Sequence, residues 1–374
     1  MKIAFGLFKY FPYGGMQRDA LCIARLLVAR GHRVEFFTLD WQGEREPALP
    51  VHVLPARGLA NHVRYSRYAE AFVAATGDFD GRVGFNRMPG LDVYYAADSC
   101  FVARMEKRPF WHRLSRRYRA FVAAEGAVFA PGSRTHILAI SVAEARRYQA
   151  AWGTPDARFH HLPPGITEDR RAGQDAAELR ASLRAEFGIA DDEFLLLAIG
   201  SGFRMKGLDR SIRALGALPA AVRARTRLVA IGRDKPGEYQ RLARRLGVAE
   251  RFTILPGRDD IPRFLQGADL LLHPARYENT GAVLIEAVVA GLPVLVTQVC
   301  GYAEHVAASG CGRTLGDPFS QAELNAALAA ALTGADSGNG RPAWRAAGIA
   351  YGQDHDLWHL HARAADAIEA VLAR

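Results

Sequence analysis

Cysteine is scarce in this sequence, and its spacing suggests no pairing. Four occur in 374 residues, at Cys22, Cys100, Cys300 and Cys311, and no two form a CxxC pair. That argues against a disulfide framework or a cysteine zinc site, and for a reducing compartment with free, mostly buried thiols. Long apolar runs are missing too: none reaches the roughly 18–20 residues that span a bilayer. The opening MKIAFGLFKYFPYGG lacks the long hydrophobic region of a secretory signal and reads directly as a strand and a turn. The expected place is the cytosol, with attachment to a membrane surface left open. No GxGxxG with an acidic partner is present, which disfavours a dinucleotide oxidoreductase. Short-period repeats and low-complexity tracts are also absent.

Acidic residues are in deficit. Asp plus Glu number 39 against 48 Lys plus Arg, a formal net charge of +9. Such an excess suits an anionic partner, whether nucleotide, nucleic acid or acidic membrane, without choosing among them. The apolar fraction of 49% and charged fraction of 23% are those of an ordinary globular chain. The length fits two domains of roughly 150–200 residues each.

What is present is a repeated strand, turn and helix. Lys2–Phe8 reads as a strand, Tyr13–Gly15 as a turn, and Met16–Arg30 as a helix stopped by Gly31. Further strands are expected at Val34–Leu39, Arg82–Phe85, Leu91–Ala96 and Arg158–Leu162. Pro163-Pro164-Gly165 breaks the pattern, and a polar connection with one helix, Ala176–Phe187, follows. A second run has strands at Phe194–Gly200, Arg227–Ile231, Phe252–Leu255, Leu270–His273, Pro293–Thr297 and Gly312–Gly316. Ser337–Arg341 reads as a turn, and an amphipathic helix is expected from about His355 to the end. The prediction is an α/β chain of two doubly wound, Rossmann-like domains facing across a cleft, residues 1–165 and 166–354.

Three features carry chemistry. Gly14-Gly15 sits between the first strand and the first helix, where glycine admits a ligand to the backbone and the helix start offers N–H groups to a phosphate. A plain tight turn accounts for it equally well. Asp19, one helical turn on, is a carboxylate that could lie near a reacting carbon; by itself it reads as an acid favoured by the helix dipole. The run IGSGFRMKGLDRSI (199–212) ends a strand and starts a helix near Gly207, with Lys206 placed just before that start to hold a diphosphate. Arg170 offers a second cation, although its position alone does not separate this role from a surface charge.

The third feature is HPARYENTGAVLIEAVVAGLPVLVT (273–297). A loop carries Glu278 and Asn279, Thr280-Gly281 opens a helix through Ala282, and Glu286 stands eight residues after Glu278. Glu286 lies among Val283, Leu284, Ile285, Ala287 and Val288, so it needs a partner or a solvated edge. Ribose hydroxyls would satisfy it, the N–H groups at Thr280–Val283 suit a pyrophosphate, and Glu278 suits sugar hydroxyls.

These segments resemble the retaining GT-B glycosyltransferases that carry an E-x7-E motif, and among them the lipopolysaccharide core glucosyltransferase I type, the WaaG-like enzymes. The likeness is carried by KYFPYGGMQRD (9–19), GFNRMPGLDVYYAADSC (84–100), LPPGI (162–166), DLLLHPA (269–275), ENTGAVLIEA (278–287) and VCGYAEH (299–305). It implies Gly15, with Gly14, against the donor diphosphate and Asp19 near the sugar. Arg170 and Lys206 would neutralise the diphosphate. Glu278 would contact sugar hydroxyls, Glu286 the ribose and Arg258 the uracil region, with Asn279, Thr280, Gly281 and Ala282 completing the pocket. The C-terminal helix, 355–374, would return to the first domain. Two departures stand out. Lys206 follows Met205 where many relatives have an Arg, the nearest being Arg204. The first domain has Tyr95-Ala96-Ala97-Asp98 where many have a His, so Asp98 is the candidate on the sugar or acceptor side.

The resemblance implies transfer of a hexose, glucose first, from a UDP-sugar to an inner-core heptose on a lipid A-linked oligosaccharide, with retention. A galactose or N-acetylhexosamine donor is the alternative, followed by a sugar-nucleotide epimerase or a non-catalytic basic surface-binding protein. No carboxylate is placed as a covalent nucleophile, which favours a same-face, internal-return route. No cofactor is expected beyond the UDP-sugar co-substrate. No metal is expected either, because no DxD-like cluster in a suitable setting occurs and cations are present. Residues 101–130 hold seven Lys/Arg against two Glu, interleaved with aromatics. Arg104, Lys107, Arg108, Trp111, Arg113, Arg116, Arg117 and Tyr118 are the expected contacts with an anionic membrane surface, the cytoplasmic face of the inner membrane by resemblance. An RNA-binding patch has a similar composition, as does a solvated helix with its aromatics packed on the core; with a lipid-linked acceptor, no nucleic acid partner is expected.

Overall fold

Short, almost uninterrupted apolar runs demand strands buried on both faces, and parallel sheets covered by helices supply them. The computed structural model describes residues 1–12, 14–106, 108–334 and 340–374. It divides into two units: 1–165 with 359–374, and 166–358. Unit 1 holds β1 (Lys2–Tyr10), β2 (Arg33–Trp41), β3 (Val51–Val53), β4 (Gly81–Gly84), β5 (Val93–Tyr95), β6 (His136–Ala139) and β7 (Phe159–His161) in the order β3-β2-β1-β4-β5-β6-β7. Unit 2 holds β8 (Phe194–Ile199), β9 (Thr226–Ile231), β10 (Phe252–Leu255), β11 (Leu270–His273), β12 (Val294–Thr297) and β13 (Gly312–Leu315) in the order β10-β9-β8-β11-β12-β13. Every pairing is parallel, for example Ile3 opposite both Val34 and Gly81, and Leu271 opposite both Val294 and Leu197.

Alternation along each strand sends side chains to two cores. In β1, Ile3, Phe5 and Leu7 join the core that includes Ile23 and Leu27 of the helix Gly15–Ala29, while Ala4 faces the opposite core with Phe72 and Tyr94. In β8, Leu195 and Leu197 face one side and Leu196 the other. The order reverses direction between β1 and β4 in unit 1 and between β8 and β11 in unit 2. Beyond the carboxyl ends of strands at such a reversal, adjoining loops diverge and leave a crevice for ligands.

Several elements differ from the sequence expectation. Strands β3 and β6 and the helix Arg341–Asp354 were not foreseen. Strand β3 is only three residues on the sheet edge, too short for a clear alternation. The tail is not one helix from His355: Leu360–Leu372 is helical, and its buried Leu360, Ala364, Ala365 and Ile368 pack in the same core as Ile3 and Ile23. Tyr13 of the expected first turn, Lys107 of the basic segment, and 337–339 of the expected turn before Arg341 lie outside the described residues. Among the described residues, no helix is long and apolar enough to cross a membrane.

One buried charge organises unit 1. Glu125, on the helix Arg116–Phe129, is fully buried. Its carboxylate pairs with Arg87 and accepts hydrogen bonds from Phe101 N–H (2.6 Å), Val102 N–H (3.1 Å) and Trp152 Nε1–H (3.0 Å). The start of the helix Phe101–Glu106 is thereby tied to the segment after β4. Glu125→Ala strips the Arg87 guanidinium of its buried counter-charge and leaves the Phe101 and Val102 N–H groups without their acceptor, which costs about 3–5 kcal/mol. The expected outcome is a clear fall in the urea midpoint of unit 1 followed by near-ultraviolet circular dichroism; an unchanged midpoint would remove Glu125 from this role.

Candidate functional site

In unit 2 the loops after β8 and β11 are stitched together by backbone. Gly207 has φ +74°, and a Cβ there would stand 2.0 Å from the carbonyl oxygen of Pro274, so only glycine fits. Arg276 N–H donates to Met205 O at 2.7 Å, and its guanidinium grips both oxygens of Asp209 at 2.7 and 2.8 Å. These contacts bring Lys206 Nζ against Glu278 Oε2. The sequence placed Lys206 before a helix starting near Gly207. That helix, Leu208–Ala217, starts directly after Gly207 as expected, and Lys206 in addition closes a one-turn helix, Phe203–Lys206. Burial pulls the Lys206 ammonium below its ordinary pKa, while contact with a carboxylate favours the charged form.

His273, at the end of β11, lies 3.6 Å from the same Glu278 oxygen and is 1% exposed. Burial, aided by Lys206, lowers its pKa to about 3, so the imidazole is neutral near pH 7. Glu278 is held from behind: its carbonyl accepts from Gly301 N–H at 3.2 Å, and that of Thr280 accepts from Tyr302 N–H at 2.9 Å. The helix Ala282–Val289 then starts from Gly281, at φ +90°, with no side chain capping its first turn. Arg170 Nε lies 3.7 Å from Glu286 Oε1, both side chains largely buried. Two cation–carboxylate pairs therefore share this loop and helix: Lys206 with Glu278, and Arg170 with Glu286. Asn279, Thr280, Gly281 and Ala282 connect them in the chain. Arg258 is engaged elsewhere, donating to both oxygens of Asp260 at 2.6 and 2.7 Å and lying over the Phe264 ring.

In unit 1, Gly14 caps the helix Gly15–Ala29 without a side-chain hydrogen bond. A Cβ at Gly14 would strike the Gln17 side chain, which donates to Lys9 O at 3.0 Å; a Cβ at Gly15 would meet nothing. Asp19 Oδ2 accepts from Tyr95 O–H at 2.8 Å, and Asp19 Oδ1 lies 2.9 Å from His361 Nε2. Asp98 is separate from this cluster. Its Oδ2 lies 3.8 Å from Arg87 Nε, and its backbone carbonyl accepts from Tyr148 O–H at 3.0 Å. With Phe8, Tyr65, Arg87, Met88 and Phe121 it lines a cavity of about 410 Å³. Phe8 comes from β1, while Arg87 and Asp98 follow β4 and β5, so the cavity lies toward the carboxyl ends of the strands.

The basic segment divides in two. Phe101 and Phe129 are buried, and Phe101 packs against Tyr118 and Phe121. Phe110, Trp111 and Leu114 are 71%, 60% and 71% exposed, beside exposed Arg104, Arg108, Arg113, Arg116 and Arg117. Sequence reasoning missed His273, Tyr95 and His361. His273 had a signal, a polar residue ending the apolar run LLLH. Tyr95 resembled any core aromatic, and His361 stands 342 residues from Asp19.

Comparison with known proteins places these features. Residues 180–347 match the model of the family described as glycosyl transferases group 1. The chain is 42% identical over 376 aligned residues, covering 100% of both chains, to the lipopolysaccharide glucosyltransferase WaaG of Escherichia coli (strain K12). A crystal structure of WaaG, a glycosyltransferase involved in lipopolysaccharide biosynthesis, aligns with a TM-score of 0.88 at 41% identity, covering 98% of this chain and 99% of that one. Anabaena HepE in complex with UDP-glucose aligns with a TM-score of 0.73 at 19% identity, covering 99% and 100%, a likeness of fold. The two parallel-sheet units are those of the GT-B fold, and the chain is a glycosyltransferase that belongs to the WaaG family of group 1 glycosyl transferases.

Proposed function

We propose that this glycosyltransferase moves a hexose, glucose first, from a UDP-sugar to an inner-core heptose of lipopolysaccharide, with retention of configuration. The observation that carries the donor side is the twin pairing of Lys206 with Glu278 and Arg170 with Glu286 in unit 2. The choice of glucose and of a lipopolysaccharide acceptor follows the likeness to WaaG. In this reading the donor diphosphate takes Lys206 and Arg170 as counter-charges. Glu278 is then released to sugar hydroxyls and Glu286 to the ribose, while Asn279, Thr280, Gly281 and Ala282 present the loop and the uncapped helix start. Gly14 and Gly15 are the proposed further contacts of the diphosphate, and Arg258 that of the base. The acceptor side is assigned to unit 1, with Asp98 and its cavity.

The bond from the anomeric carbon to the phosphate oxygen breaks as the acceptor oxygen bonds to the same face of that carbon. The departing phosphate oxygen takes the acceptor proton, so UDP leaves with its charge met by Lys206 and Arg170 and no metal ion is required. Asp19, with hydrogen bonds on both carboxylate oxygens, suits electrostatic support of the sugar better than attack on carbon. Lys206→Ala is expected to lower kcat, referred to the folded fraction read from a melt, by about 10²–10³-fold, the scale of losing one charge-stabilising group. Thermal-shift screening of UDP-sugars reads out the donor, with UDP-glucose stabilising most. Near-normal turnover in Lys206→Ala would sink the donor-site assignment.

The basic segment is proposed to hold the enzyme on the anionic cytoplasmic face of the inner membrane. Exposed Phe110, Trp111 and Leu114 among arginines support this. Each basic residue near such a surface is worth about 1 kcal/mol. Arg116→Glu/Arg117→Glu should therefore weaken co-sedimentation with phosphatidylglycerol-containing vesicles by roughly tenfold or more. Vesicle binding indifferent to lipid charge, or binding of RNA in its place, would contradict the assignment.

A further inference from the structure

We propose that His361, on the C-terminal helix, is a positioning residue that orients the Asp19 carboxylate for sugar transfer; this rests on the reading that Asp19 serves the reaction. An ionised carboxylate only accepts hydrogen bonds, so the 2.9 Å contact requires a proton on His361 Nε2, donated to Asp19 Oδ1. Tyr95 O–H donates to the other oxygen at 2.8 Å. With a donor on each oxygen, the carboxylate is fixed in rotation about its last torsion.

Both donors stand on rigid ground. Tyr95 ends β5 and is fully buried. His361 follows Leu360, whose side chain is buried in the unit 1 core and would collide with a Cβ on Gly165. The far end of the same helix is clamped to the end of the first helix and the turn after it: Arg30 pairs with Glu369 at 2.6 Å and Asp366 at 2.8 Å, and His32 with Glu369 at 2.6 Å. Packing alone would be served by Leu360, Ala364, Ala365 and Ile368. The imidazole adds a directed hydrogen bond to one carboxylate on the helix that follows Gly14-Gly15. The chain's last helix thus supplies a hydrogen-bond donor for a group near its beginning.

The test is a double-mutant cycle on the full-length enzyme, with kcat, the KM values for UDP-glucose and acceptor, and the melting temperature for each variant. Misplacing a group by about 1 Å can cost up to about a hundredfold in rate. His361→Ala is expected to lower kcat by about tenfold to a hundredfold, with the UDP-glucose KM little changed. His361→Gln, whose amide N–H can reach the same oxygen, should recover most of the loss at an equal melting temperature. Adding His361→Ala to Asp19→Ala should cost nothing further. Full kcat in His361→Ala beside a depressed Asp19→Ala would overturn the proposal alone, as would losses that multiply in the double variant. Full kcat in Asp19→Ala would overturn the reading of Asp19 itself.

Discussion

A cation withdrawn from water costs several kcal/mol unless a counter-charge or hydrogen-bond acceptors stand beside it. In unit 2 that condition is met by Lys206 and Glu278, and the surrounding structure follows from it. Two loops from neighbouring strands must approach closely enough for an ammonium and a carboxylate to touch. The absence of a side chain at Gly207 permits the approach to Pro274, and Arg276 bolts the two loops together through Met205 and Asp209. Neutral His273 lines the same corner without adding a charge. A pair assembled this way is electrically balanced yet polar, which fits the proposed exchange of a carboxylate for a phosphate.

The two units solve the same topological problem with different chemistry. Each sheet reverses strand order at one point, β1 beside β4 and β8 beside β11. Unit 2 places side-chain cations and glutamates around its reversal. Unit 1 offers a glycine-started helix, a doubly hydrogen-bonded aspartate and an apolar-walled cavity near its own. Two ionic groups of unit 1, Arg87 and Glu125, are occupied with each other, Glu125 accepting from backbone N–H groups and Arg87 donating to the Ser99 carbonyl. That leaves Asp98 as a partly exposed acid on the cavity wall.

Much of this was legible in the sequence, and the limits have physical causes. Runs such as FLLLAI and LLLH, bounded by Gly or Pro, fit strands buried on both faces, so the alternating α/β order was readable. Strand β6 escaped because HILA is only four residues long, and periodicity alone does not tell so short an apolar run from a piece of helix. Glu286 was legible because a carboxylate among Val, Leu and Ile demands a partner; that the partner is Arg170 was not, since 116 residues separate them. His361 was illegible for the same reason: its meaning depends on a helix that returns to the first core. Local rules identify residues that need a partner, and only the fold supplies the partner.

In the basic segment, exposure adds what composition leaves open. Cations alone would suit any polyanion, and aromatics alone would suit a packed core. The structure separates the aromatics: Phe101 and Phe129 are interior, and Phe110 and Trp111 face outward with Leu114. Aromatic rings can stack on nucleic acid bases, but a leucine set among arginines finds little apolar surface along a phosphate backbone. It gains from an apolar phase, at about 25 cal/mol per Å² removed from water. Arginines flanking an outward Phe, Trp and Leu therefore match the two layers of an anionic membrane surface, charge outside and hydrocarbon beneath, better than they match the single charged layer of a nucleic acid.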